Sequence, residues 1–213
     1  MPDAQPSFWS RWHDGYEQPG SDLSQRLSVV QERVHEAIDR IPGPLRLISV
    51  CAGQGRDVIG VLADHPRRTD VSAFLVELDE HNVGVARALA ADAGLSRIEV
   101  VQGDASTTAV YRDAVRADVL LLCGIFGNVS EQDVRTTVAN SSRLCAPGAV
   151  VIWTRHREAP DQTPAIRGWF ADAGFEELAF DSPGEDRFAV GTHGLVTEPL
   201  GFRGDLRMFT FIE

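Results

Sequence analysis

From Ser21 to Ile41 the apolar residues Leu23, Leu27, Val30, Val34, Ala37 and Ile41 recur at steps of three and four, the period of an amphipathic helix. Ser21 is a good N-cap residue, and Gly43-Pro44 stops the pattern. Beyond Pro44 the rhythm changes to short continuous apolar runs at Leu45–Val50, Val71–Val76, Ile98–Val101, Ala117–Leu122 and Ala149–Thr154, the last introduced by the turn Ala146-Pro147-Gly148. Such runs read as strands buried on both faces. Helical stretches fall between them at Val58–Leu62, at Asn82–Ala91, and after Ser130, which forms a capping box with Asp133 ahead of Val134 and Val138. Thr163-Pro164 opens another helix that Gly174 ends. Glu177–Phe180, Arg187–Val190 and Met208–Ile212 then read as strands suited to an antiparallel sheet edge. Alternating strands and helices build a parallel sheet covered by helices.

The chain has 213 residues, the size of one domain with a full core. The expected division is residues 1–44, an aromatic leader and a helix, followed by a ligand-binding domain at 45–213. A formal net charge of −11 argues against a nucleic-acid partner, which would draw on clustered Lys and Arg. Pro66-Arg67-Arg68 is a short, isolated basic patch. Cys51, Cys123 and Cys145 lack the spacing of a disulfide framework or a zinc site, which suggests a reducing cytosol. No stretch is long and apolar enough to span a membrane, and Met1 to Pro6 does not open a secretory signal, so the expectation is a cytoplasmic protein without a membrane partner. Asn128-Val129-Ser130 and Asn140-Ser141-Ser142 are then sequons without a glycosylating compartment.

The first strand runs into Val-Cys-Ala-Gly-Gln-Gly-Arg-Asp at 50–57 and straight on into a helix. Gly53 and Gly55 permit close approach of a ligand to the main chain, and the helix start offers unpaired N–H groups. A dinucleotide fold would place a third glycine where this chain has Val58, so hydride transfer is disfavoured. The second strand ends in Glu77, at the distance expected for a ribose-binding acid, and the third ends in Gln102-Gly103-Asp104-Ala105.

Taken in order, Val-Cys-Ala-Gly-Gln-Gly, Val-Glu-Leu-Asp, Gln-Gly-Asp-Ala and Leu-Cys-Ala-Pro-Gly-Ala resemble the class I S-adenosylmethionine-dependent methyltransferases over roughly residues 45 to 195. The resemblance implies a Rossmann-like three-layer α/β sandwich, with a mostly parallel seven-stranded sheet, an antiparallel edge and a helical segment in front. It implies that S-adenosylmethionine is held by Cys51, Ala52, Gly53, Gln54, Gly55 and Arg56 of the turn, Glu77 and Leu78 at the ribose, Asp104 and Ala105 at the adenine, and Gly124 after strand four. The carboxylates suit these tasks, since each accepts two or more hydrogen bonds from a diol or an amine.

Candidates for catalysis lie on segments able to cover the sheet's carboxyl edge. They are His13 and Tyr16 in the aromatic leader Phe8–Tyr16, which could close over the cofactor, Asn128 after strand four, and His156 after strand five. His193 ranks below these. Residues 123–128 lack the Asn/Asp-Pro-Pro-aromatic motif of enzymes that methylate nucleobases or glutamine amides, so a small-molecule O or N acceptor is expected; Gly-Ile-Phe-Gly-Asn more closely resembles a set of small bacterial methyltransferases with poorly known substrates. The implied reaction is direct displacement on an already activated methyl, with a base only if the acceptor must lose a proton. Asp104, Asp118 and Asn128 do not reproduce the magnesium site of the catechol type, so no metal is expected. Two alternatives stay open: a non-catalytic domain that senses S-adenosylmethionine, and an aminopropyltransferase on its decarboxylated form. A homodimer through the sheet edge or the first helix would be compatible with this fold, though no residue argues for it.

Overall fold

The structure is a computed structural model that describes residues 20–182 and 187–212. The chain follows α1 (Asp22–Arg40), β1 (Leu45–Val50), α2 (Arg56–Asp64), β2 (Val71–Glu77), α3 (Glu80–Asp92), β3 (Ile98–Gln102), β4 (Ala117–Leu122), α4 (Glu131–Ser141), β5 (Cys145–His156), α5 (Thr163–Asp172), β6 (Phe175–Asp181) and β7 (Phe188–Leu195). The strands form a seven-stranded sheet in the order β3-β2-β1-β4-β5-β7-β6. β1 to β5 pair in parallel, whereas β7 is inserted between β5 and β6 and runs antiparallel to both.

Alternation along the strands divides the core into two layers. Ile48, Val50, Leu120, Leu122, Val151 and Trp153 point to the side covered by α4 and α5, through Val134, Val138, Ile166 and Phe170. Leu45, Leu47, Val119, Leu121 and Ile152 point to the other side, where α1, α2 and α3 contribute Val34, Ile38, Val58, Leu62, Val83 and Ala86. Both faces are therefore dry, as the continuous apolar runs require. Trp153, fully buried, stacks on Phe170 at 6.0 Å and donates its indole N–H to His193 Nδ1 across 3.1 Å.

The helix ends explain several polar residues. The side chains of Ser21, Asp79 and Ser130 accept from the N–H groups of Ser24, Asn82 and Asp133, each satisfying an otherwise orphaned donor. The basic pair Arg67-Arg68 serves the opposite ends. Arg67 donates to the carbonyls of Ile38, Ile41 and Gly43 at the end of α1. Arg68 donates to those of Ala63 and Ala93 at the ends of α2 and α3. A guanidinium at a helix C-terminus meets unpaired carbonyls and the negative end of the macrodipole, so this basic pair is structural.

Two expectations are corrected. Met208–Ile212 is not a strand of the sheet; the C-terminal segment forms only isolated bridges, Arg207 to Thr107 and Phe211 to Val129, across the ends of β3 and β4. Ala146-Pro147-Gly148 does not precede β5 but lies within it, as an irregularity where the register to β4 shifts between Ala117/Cys145 and Val119/Val150.

Candidate active site

The carboxyl ends of β1 to β4 open into a cleft of about 500 Å³, the place where open α/β sheets bind ligands. Its floor is the turn after β1. Cys51 there has φ 54°, and it is the one non-glycine residue with positive φ among the described residues. Gly53 (φ 55°) follows in the same left-handed region and presents its main chain to the cleft. Gly55 (φ 68°) is the N-cap of α2 and does not line the cleft: a Cβ there would come within 2.8 Å of Leu75 Cδ2 and 2.9 Å of Ile59 Cδ1. The close packing of helix on strand therefore falls to Gly55, without a third glycine at Val58.

Glu77, at the end of β2, ties the turn to its own strand end. Its Oε2 accepts from Gly53 N–H at 2.8 Å and its Oε1 from Asp79 N–H at 2.9 Å. Burial pushes the carboxyl up from its ordinary value, and the N–H groups of Asp79, Gly53 and Leu78 pull it back. Each oxygen still has a second lone pair, so the group can accept one hydrogen bond at each oxygen from a vicinal diol. Beside it Leu78 is 67% exposed and offers an apolar surface at the cleft rim.

Asp104 lies after β3. Its Oδ1 accepts from Ser106 N–H and Oγ–H, and its Oδ2 from Arg207 at 3.3 Å. The carboxyl is held below its usual value: partial burial raises it, and the bonds from Ser106 and the charge of Arg207 outweigh that. Ala105, buried, accepts at its carbonyl from Tyr111 O–H at 2.8 Å. The rest of the lining is supplied by Cys123 and Gly124 at the end of β4, by Arg26, Leu27 and Val30 of α1, and by Thr210 and Phe211 of the C-terminal segment. Burial pushes the thiols of Cys51 and Cys123 upward, Cys123 far above its ordinary range, so both stay protonated at neutral pH.

The cleft thus gathers every residue expected to hold the cofactor except Gly55. The expected catalytic residues fare differently. His13 and Tyr16 lie outside the described residues. Asn128 does not line the cleft; its carboxamide donates to Gly124 O at 2.9 Å and its main-chain carbonyl accepts from Ile212 N–H, bracing the loop after β4. His156 is also outside the lining and packs on Gly127, where a Cβ would come within 2.9 Å of its Cδ2; burial lowers its pKa, and Arg155 lowers it further.

Sequence reasoning missed Asp57, Asn82, Arg26 and the C-terminal residues Arg207 and Phe211 as part of the cleft. Only Asp57 had a local signal, its place directly after the glycine turn. Outside the cleft lining His35, Asp39 and His65 place ligand atoms within 4.8 Å of one another. His65 Nδ1 accepts from Arg67 N–H at 3.1 Å, which leaves the ring proton on Nε2 facing Asp39 at 3.5 Å. Metal-bound histidines use the reverse arrangement, with the other ring nitrogen donating, so the group reads as a histidine–carboxylate pair.

Known proteins resemble this chain in sequence and in fold. Residues 21–164 match a family described as "Putative methyltransferase", a match that begins at the cap of α1. The uncharacterized protein YnbC of Escherichia coli (strain K12) is 27% identical over 138 residues, 62% of this chain and 23% of that protein, so the chain spans about a quarter of this relative. An O-methyltransferase family protein from Burkholderia thailandensis superposes with TM-score 0.63 at 20% identity, covering 81% of this chain and 56% of that one. Magnesium protoporphyrin IX methyltransferase from Synechocystis PCC 6803, solved with bound SAM, gives TM-score 0.62 at 15% identity over 90% of this chain and 86% of that one. At such identities the structural likeness speaks for the fold, while the family match covers well over half of the sequence; the chain belongs to this methyltransferase family.

Proposed function

We propose that the protein transfers the methyl group of S-adenosylmethionine to a small-molecule O or N acceptor by direct displacement. The observation that carries this reading is Glu77, a partly buried carboxylate fixed by two backbone N–H groups, one of them from the glycine turn, with acceptor capacity left on both oxygens. That is what recognition of a ribose diol requires. Asp104 Oδ2 keeps a lone pair for an exocyclic amine, and Leu78 offers a surface for a flat ring. S-adenosylmethionine, when bound, supplies a sulfonium methyl already activated for displacement, so the protein's task is alignment and exclusion of water.

The chain's own groups suit that division of labour. Leu27, Val30 and Phe211 add apolar surface to the cleft lining, and neither cleft thiol is ionised to compete as a nucleophile. A cleft of about 500 Å³ accommodates a cofactor and a compact acceptor, and a net charge of −11 suits a small acceptor better than a polyanion.

Calorimetric titration with S-adenosylmethionine, S-adenosylhomocysteine and NADH tests the reading. Micromolar binding of the two adenosyl ligands, absent for NADH and reduced at least roughly tenfold in Glu77→Ala, is expected, since charge-assisted bonds to a carboxylate are worth about 1.5–3 kcal/mol. Unchanged affinity in Glu77→Ala would remove the assignment.

A further inference from the structure

The sequence match to the family stops at residue 164, but the cleft does not. Among the described residues that line it, Arg207, Thr210 and Phe211 lie beyond the matched stretch, and all three belong to the C-terminal segment. Proteins that share a fold differ in the groups grafted onto it, so a wall supplied from outside the shared stretch is where this chain's own specificity belongs.

That wall runs along the cleft. Arg207 bridges to Thr107 and reaches Asp104 after β3, whereas Phe211 bridges to Val129 after β4. Phe211 therefore stands at the β4 end, and it is Arg207 that meets the acid expected to hold the adenine. The main chain is pinned on both sides of Phe211: Thr210 N–H donates to Asp133 Oδ2 at 3.2 Å, and Ile212 N–H to Asn128 O at 3.0 Å. Its ring makes a T-shaped contact, at 5.4 Å, with that of fully buried Phe209, yet it stays 38% exposed. An aromatic ring held this firmly on a cleft is a preorganised stacking surface. The charged groups acting on Cys123 at this end are Asp57 and Arg26, whose opposite signs offset one another. Nothing in that balance calls for an ionic ligand.

Resting on the S-adenosylmethionine reading, we propose that the methyl acceptor is an uncharged, planar aromatic compound that stacks on Phe211, so that the C-terminal segment sets acceptor specificity.

The test is calorimetry on protein saturated with S-adenosylhomocysteine, titrated with 1-naphthol and with its saturated counterpart decahydro-1-naphthol. The wild type should prefer the flat ring about 3- to 10-fold, the worth of an aromatic pair. Phe211→Leu, which keeps an apolar side chain and removes the ring, should abolish the preference, and Phe211→Tyr should retain it. Melting temperature and S-adenosylhomocysteine affinity are measured on the same samples. If the wild type binds S-adenosylhomocysteine but shows no preference for the flat ring, if Phe211→Leu keeps the preference, or if that variant loses S-adenosylhomocysteine affinity as steeply as it loses the preference, the acceptor assignment falls and the cofactor reading stands. If the wild type does not bind S-adenosylhomocysteine, the cofactor reading itself has failed, and the assignment with it.

Discussion

Arg207 and Asp104 are joined across 3.3 Å although a hundred residues of chain separate them, and Arg207 also donates to Ser106 Oγ. The acid after β3 is therefore set by its own loop together with the C-terminal segment. Arg207→Ala should leave stability within about 1 kcal/mol of wild type, because the pair is half exposed. It should nonetheless weaken S-adenosylhomocysteine binding several-fold as Asp104 and Ser106 lose their tether. Melting temperature and calorimetry measured on the same sample separate the two effects.

Two buried groups give opposing pH dependences. Asp57 is pushed by burial from 3.8 to about 6, against the pull of Val58 N–H and Arg26. The folded state thus holds its proton more tightly than the unfolded chain, and stability is lost as pH rises from 3.8 through 6. His193 is lowered from 6.5 to about 4 by burial, against Glu177 of β6 and with Arg167 of α5. Here the unfolded chain takes the proton first, so stability is lost as pH falls from 6.5 to 4. Each amounts to roughly 3 kcal/mol, and in the wild type they largely cancel. Asp57→Asn should stabilise the protein at pH 7 and expose a steep acid loss between pH 6.5 and 4. His193→Gln, which keeps an acceptor for Trp153, should lower stability overall and expose the opposite slope. Urea midpoints across pH 4 to 8 for the three proteins check both signs.

Cys51 holds φ 54°, a conformation that costs a non-glycine residue roughly 1–2 kcal/mol and a β-branched one more. Cys51→Val should therefore destabilise by more than about 2 kcal/mol, whereas Cys51→Gly trades strain for lost side-chain burial and should stay within about 1 kcal/mol of wild type. Denaturant unfolding of the pair measures the difference.

Gly191 of β7 lies directly against the indole of Trp153, with no room for a Cβ. Gly191→Ala forces the largest fully buried side chain of the described core to move. A loss of about 2–3 kcal/mol is expected, with a shift in tryptophan fluorescence, because overpacked cores relax only by distorting rotamers and backbone.

The helices and the five parallel strands were legible because burial on one or two faces imposes a period on the sequence, and Ser21 and Ser130 mark their starts by the chemistry of caps. Glu77 was legible from its place at a strand end after a glycine turn. Met208–Ile212 misled because an extended segment that buries Met208 and Phe209 against the core needs the same apolar residues as a strand. Asp57 was passed over despite its place after the glycine turn, because an acid in a first helical turn has an ordinary explanation that only its burial removes. Arg67 and Arg68 read as a surface patch, since nothing local says that three helix ends converge on them.

The C-terminal segment also bears on how the protein is made. Thr108 N–H bonds to Leu206 O, Met208 N–H to Ser106 O and Ile212 N–H to Asn128 O, so the rim of the cleft is sewn together by partners some 80 to 100 residues apart. During synthesis the sheet from β1 to β5 can collapse well before these partners emerge, whereas the wall carrying Arg207 and Phe211 can close only when the last of them has left the ribosome. A nascent chain halted before residue 206 would carry the glycine turn and Glu77 with a cleft open on one side.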